Sequence, residues 1–411
     1  MSEPRPARIS FGLPLWAWVG GSLLLVLASL YGSLWLPELR ERMAVRSLNA
    51  LPDCQVEVLS GGFYDIPRGF SWLPEHAWLA WAHRLAPPAA YFHQVTIGPR
   101  FPLGELKRLR AIRRFDFFDA TGTDLSDEHI PELRAFNALR LKGTKIGDTG
   151  LAQLAGAELR ELSVADTRVG DEGIRSLGPH EGLAVLDLSG TRVGHNGIEA
   201  LIRNTVHGVC AETLNLSRTT VGDADMPLLA CLRELHYLDL SDTKITDEGL
   251  LSLANGVDMQ LFGLYLDRTQ VGDRGLRAIL SDSDRPFFYY LSLSGTNVSW
   301  EYIETWRSSP GELGLAGLDI RDRAANWFVE HGRHCYQLDL SDTRFTHVGL
   351  AYLEQSENLR KLRIRNCAIS ESAALHFMGS VPKVRGNSWN EAPPPLADRI
   401  RAYRETGWLE R

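Results

Sequence analysis

The side chains of this chain best suited to chemistry fall into two groups. The first is His331-Gly-Arg-His334-Cys335, with His347 further on. Imidazole nitrogens and a thiolate are zinc ligands, and a metal bound there would make a metal-dependent enzyme. A zinc site needs its ligands to converge at about 2.0 to 2.3 Å. Adjacent His334 and Cys335 would splay to opposite faces of a strand, so core or surface histidine is the better reading and no metal is predicted. A second set, His207 with Cys210 and Cys231 with His236, is more dispersed. The five cysteines are odd in number and lack a C-x-x-C pair, which argues against a disulfide framework or redox couple. No nucleophile elbow, P-loop, H-E-x-x-H or dinucleotide fingerprint occurs, so the sequence predicts neither an enzyme nor a cofactor. The second group, Tyr237, Asp239, Tyr265, Asp267 and Tyr290, suits recognition: aromatic faces beside carboxylates favour a basic or hydroxyl-rich partner.

What would bring those five together is a repeat. Leu139 to Asp148 recurs as Leu162 to Asp171, Leu186 to His195, Leu214 to Asp223 and Leu238 to Asp247, then Leu264 to Asp273 and Leu291 to Trp300. A degenerate unit opening LDIRD at Leu318 follows, then units at Leu338 and Leu362. Working backwards, Phe118 to Asp127 keeps the Thr and Asp, and Val95 with Ile97 keeps only the strand. Starting leucines lie about 20 to 28 residues apart. With its unit L-x-L-x-x-T-x-V-x-D-x-G-L, the chain resembles the leucine-rich-repeat family, in a bacterial-looking variety, over Val95 to Arg385, about 70% of its length. It departs from the family in carrying Thr (Thr144, Thr167, Thr191, Thr219, Thr243, Thr269, Thr296, Thr343) where Asn or Cys usually follows the strand. The resemblance implies an α/β solenoid, with a parallel concave sheet and a helical convex side, that serves binding.

Each repeated position has a physical reading. A period of two sends both leucines of L-x-L into the core. The Thr hydroxyl can tie down backbone groups in the following turn. The Asp, as at Asp247, is placed to cap the helix that follows it, and Gly249 and its equivalents permit close approach of neighbouring coils. The residues flanking and between the leucines then face outwards. They include the five recognition residues, Asp319 and Arg321 of the degenerate unit, and basic pairs at Arg140 with Lys142 and Arg363 with Arg365, read as solvated charge.

The segment from Phe11 to Leu36 has no charged residue and exceeds the roughly 20 residues needed to span a bilayer. Trp16, Trp18, Tyr31 and Trp35 near its ends match interfacial aromatic belts, so a retained single-pass anchor is expected. Basic residues flank both sides almost evenly, and a long following domain is exported largely regardless of its charge, which leans the repeats towards the extracytoplasmic side. The expected organisation is a tail over 1–10, the transmembrane helix over 11–36, a juxtamembrane region and cap over 37–92, the solenoid over 93–385, and a Pro-rich linker with a closing helix over 386–411. The net charge of -7 and the scattered Lys and Arg lack the footprint of a nucleic-acid binder. The function expected is a membrane-anchored protein or peptide binder acting through the concave face. The alternatives are a structural cell-envelope component and, behind both, a metal-dependent enzyme using His331, His334 and Cys335.

Overall fold

A computed structural model describes residues 41–60, 91–112, 115–180, 182–204, 211–256, 261–280, 288–379 and 408–410. The chain divides into two units, Met1–Phe117 and Phe118–Arg411. In the first, a helix over 41–49 precedes an antiparallel pair, β1 (Cys54–Ser60) and β2 (Tyr91–Ile97), with Val56 opposite Val95. Leu48, Val56, Val95 and Ile97 are buried there, as are Leu106 and Leu109 of the 3-10 helix Leu103–Ala111. The expected span Phe11–Leu36 and the Trp-rich stretch Phe70 to Trp81 lie outside the described residues, among which no helix is long and apolar enough to cross a membrane.

Strand β3 (Phe115–Asp119) leads into the second unit, where ten short strands pair in parallel and in chain order. They are β4 (Ala138–Arg140), β5 (Glu161–Ser163), β6 (Val185–Asp187), β7 (Thr213–Asn215), β8 (Tyr237–Asp239), β9 (Gly263–Tyr265), β10 (Tyr290–Ser292), β11 (Glu312–Gly314), β12 (Gln337–Asp339) and β13 (Lys361–Arg363). Leu186, Leu214 and Leu238 stand on adjacent rungs, and so do the first leucines of the other coils. Both members of each L-x-L pair are buried, from Leu139 with Leu141 to Leu362 with Ile364. One coil could not hide these side chains alone, so stacking the coils is what closes the core.

Between strand and helix every coil makes the same corner. The fourth residue after the first leucine has positive φ: Gly143, Asp166, Gly190, Arg218, Asp242, Arg268, Gly295, Gly317, Asp342 and Asn366. One residue later, in eight of these ten coils, a Thr hydroxyl donates to the carbonyl three positions back, as Thr144 does to Leu141 at 2.7 Å and Thr343 to Leu340 at 2.6 Å. The hydroxyls therefore close their own coils.

Coil is joined to coil by the Asp, in a way that corrects the capping role expected for Asp247. Its Oδ1 accepts from the backbone N–H of Gly272 in the next coil at 2.6 Å, while its own helix, Asp247–Ala254, is capped by Thr246 Oγ1 accepting from Glu248 N–H. Asp127, Asp148, Asp171 and Asp223 likewise accept from Gly147, Gly170, Gly194 and Thr246, all at 2.7 to 2.8 Å. The partner glycine of the motif has a reason in the same contact. A Cβ on Gly173 or Gly197 would come within 2.7 or 2.6 Å of Oδ1 of Asp148 or Asp171. Aspartate on one coil and glycine on the next form one fitted junction.

One further expectation is corrected. The degenerate coil does not open at Leu318: its strand is β11, with Leu313 and Leu315 in the core positions. Leu318 occupies the Thr position, Ile320 the Val position and Asp322 the junction, accepting from Thr346 N–H at 2.7 Å. Asp319 and Arg321 therefore lie in the turn after the strand, and Gly314 holds the place between the leucines. At the carboxyl end, Trp408–Glu410 is a strand, β14, running antiparallel to β13, and it covers an edge that would otherwise expose unpaired amides. The closing helix expected around Leu396, Ile400 and Tyr403 lies outside the described residues.

Candidate functional site

The sheet face carries one residue from each strand between the leucines and one on either side. On β8 to β10 this places Tyr237 and Tyr290 opposite Gly263, and Tyr265 between Asp239 and Ser292. Gly263 matters sterically, since a Cβ there would meet Tyr237 Cδ1. With no side chain between them, Tyr237 and Tyr290 meet across two strands, ring centroids 5.8 Å apart. Tyr289 extends the cluster, edge-on to Tyr290 at 4.7 Å and 5.8 Å from Tyr336. The Tyr336 hydroxyl donates to Glu312 Oε1, and Gln337 Nε2 donates to Oε2 of the same carboxylate at 3.0 Å.

The five residues expected from the sequence thus share one face, but the two aspartates do different work there. Asp239 Oδ1 accepts from Ser241 N–H two residues on at 2.9 Å, a turn-bracing bond repeated by Asp187 with Ser189, Asn215 with Ser217 and Asp339 with Ser341. Asp267 Oδ1 accepts from the Ser292 hydroxyl and Ser294 N–H at 2.5 and 2.8 Å, reaching the next coil. Burial pushes the Tyr265 phenol up to about 12, with the Glu312 charge adding to it, and raises the phenols of Tyr290 and Tyr336. These hydroxyls stay protonated, and that of Tyr336 is already committed to Glu312. Burial also lifts the Asp239 carboxyl above its ordinary value, against the opposing bonds from Ser241. Beside them lies a hollow of ≈ 150 Å³, walled by Tyr265, Tyr290, Asp267, Glu312 and Asp339 and floored by Gly314.

The outlying groups separate. Arg140 pairs with Glu161 at 2.7 Å, Lys142 approaches Asp166 at 3.8 Å, and Arg363 reaches Asp339 at 3.5 Å. His331 stacks on Trp327 with centroids 5.6 Å apart, His334 is exposed, and Cys335 is buried with its Sγ directed at the Gln337 carbonyl, 3.4 Å away. Burial pushes that thiol up to about 12, the reverse of what a metal-binding thiolate requires. Among the described residues no group of three or more His, Cys, Asp or Glu is placed to hold a metal ion. Cys231 is exposed and His236 packs on Phe262, while His207 and Cys210 lie outside the described residues.

Sequence reasoning missed Gly263, Tyr289, Glu312, Gly314 and Tyr336. Placing the degenerate coil at Leu318 hid Glu312 and Gly314. The missing signal was the run Leu313-Gly-Leu315, which restores both the L-x-L pair and the spacing to Asp322.

Against known proteins, the family model described as "Leucine Rich repeat" matches residues 159–178 and 232–254. No curated protein matches the chain. Among solved structures, an internalin from Listeria monocytogenes is similar at 15% identity and a TM-score of 0.42, covering 74% of this chain and 87% of that one. A plant ice-binding protein is similar at 16% identity and a TM-score of 0.35, covering 53% and 68%. The two matched segments fall on the β5 and β8 coils, whose pattern of buried leucines, Thr-closed corners and Asp–Gly junctions recurs along the unit; the chain carries leucine-rich repeats, stacked as an α/β solenoid.

Proposed function

We propose that this protein is a binding scaffold for another polypeptide, which it holds on the sheet face of its repeats around Tyr237, Asp239, Tyr265, Asp267 and Tyr290. The observation that carries this reading is the joined aromatic surface of Tyr237, Tyr290, Tyr289 and Tyr336, with Tyr289 49% exposed. Tyrosines are large, lose little rotamer freedom on binding and are enriched at energetic hot spots of protein interfaces. The uncharged run Phe11 to Leu36 supports a single-pass anchor, with the repeats held on the extracytoplasmic side.

The full chain in native membranes provides the test. After alkaline extraction the chain should stay in the membrane fraction, and a polypeptide should cross-link to it saturably. Tyr265→Ala should weaken that capture at least about tenfold, as loss of an aromatic anchor does. Tyr352→Ala, at an exposed position of the helix His347–Leu353, should leave it unchanged. Equal capture by both variants would remove the sheet-face reading, and no partner at all would favour a structural component of the envelope.

A further inference from the structure

The hollow beside the tyrosines is small and one-sided in charge. Its ≈ 150 Å³ is about five waters at roughly 30 Å³ each, and falls short of the approximately 300 to 1,000 Å³ of sites for whole small molecules. It is the size of one side-chain head group. It exists because β11 carries Gly314 between its leucines, where a Cβ would run into Ser292 Oγ.

Its charged lining residues are Asp267, Glu312 and Asp339, with no Lys or Arg among them. Neutral donors orient these carboxylates: Ser292 and Ser294 on Asp267, Tyr336 and Gln337 on Glu312, Ser341 N–H on Asp339. Such bonds fix the oxygens without cancelling the charge. Arg363 Nη1 lies 3.5 Å from Asp339, and Arg268, which hydrogen-bonds Asp242, also acts on Asp267 electrostatically, but neither lines the hollow. The rings of Tyr265 and Tyr290 supply aromatic walls.

We infer that this hollow seats the guanidinium of a single arginine side chain presented by the bound polypeptide. The assignment rests on the scaffold reading above and names the chemistry its partner must offer. A guanidinium is planar, stacks on aromatic rings and takes two carboxylates at once, which a compact ammonium does less well. The chain uses the same contact within its own fold, where the Arg277 guanidinium lies 5.0 Å from the centroid of the Tyr302 ring.

Calorimetric titration of the full chain in detergent micelles with the pentapeptide Gly-Gly-Arg-Gly-Gly tests this. Binding should be saturable and should weaken about tenfold when citrulline, neutral and nearly isosteric, replaces arginine. Gly314→Leu should abolish it by filling the hollow, and Glu312→Gln should weaken it with the unfolding temperature held. Equal affinity for the arginine and citrulline peptides, no binding of the arginine peptide, or indifference to both substitutions would overturn the assignment. If the arginine peptide fails while the partner still depends on Tyr265, this inference falls and the scaffold stands. If no polypeptide engages the sheet, the scaffold falls with it.

Discussion

At the scale of single residues, the sheet face keeps charge where stability alone would not. Asn215 makes the same bond to Ser217 N–H that Asp239 makes to Ser241, at 2.9 Å in both, so an amide meets the structural need equally well. Asp239 instead holds a half-buried carboxyl whose folded pKa lies above its ordinary 3.8, chiefly through loss of solvent. For an acid shifted upwards, the favourable contribution is present below the unfolded value and is lost as pH rises through the folded one. Asp239→Asn should therefore raise stability at about pH 7, and the gain should vanish at about pH 3, where both states are protonated. Denaturant unfolding at the two pH values measures this; an equal change at both would show that burial of charge is not the cause. Asp166 and Asp242 behave oppositely: hydrogen bonds from Arg218 and Arg268 hold their carboxyls low, so what they contribute is kept above the ordinary aspartate value and lost on acidification. The same pairs hold Arg218 and Arg268 in a positive-φ corner that side-chain-bearing residues rarely adopt.

At the scale of elements, the junction between coils explains the D-x-G of the repeat and the one place where it is inverted. Where Asp is expected the β6 coil has His195, and where Gly is expected the β7 coil has Asp225. Asp225 Oδ2 accepts from Gly222 N–H at 2.8 Å, and its Oδ1 lies 2.7 Å from His195 Nδ1. The carboxylate has moved to the other side of the interface and still satisfies the same backbone amide. Asp225→Gly alone orphans that N–H and should cost about 1 to 3 kcal/mol. His195→Asp alone sets two carboxylates together and should also destabilise. The double substitution rebuilds the common junction, so most of the loss should return, a non-additivity that thermal unfolding of the three variants would expose. Additive losses would contradict the fitted junction. The paired leucines and the Thr corners were legible because they obey a fixed spacing within one coil. The destination of Asp247 was not, because capping its own helix and bridging to the next coil require the same residue type at the same position. The β11 coil was misplaced for a similar reason: Leu318 at the Thr position mimics a starting leucine, and the buried pair Leu313 with Leu315 differs from its neighbours only in the glycine between them.

At the scale of the molecule, ten parallel strands in sequence order turn a one-dimensional repeat into a surface on which residues some 25 positions apart become neighbours about 4.8 Å away. That is how Tyr237, Tyr265 and Tyr290 were foreseen as one patch while Glu312 and Gly314, dependent on the misplaced coil, were not. The helix side of the same coils holds the Asp–Gly junctions and the packing of Trp300, Trp327 and Phe328, and its side chains serve the stack. The division of labour between the two sides is the main claim, and site-specific photo-cross-linking tests it most directly. A photoreactive phenylalanine analogue placed at Tyr290 on the sheet, and separately at Tyr352 on the helix side, would be irradiated in the full chain within the cells that express it. A discrete polypeptide adduct from position 290 and none from position 352 is the predicted result. Adducts from 352 alone, or indistinguishable adducts from both, would contradict it.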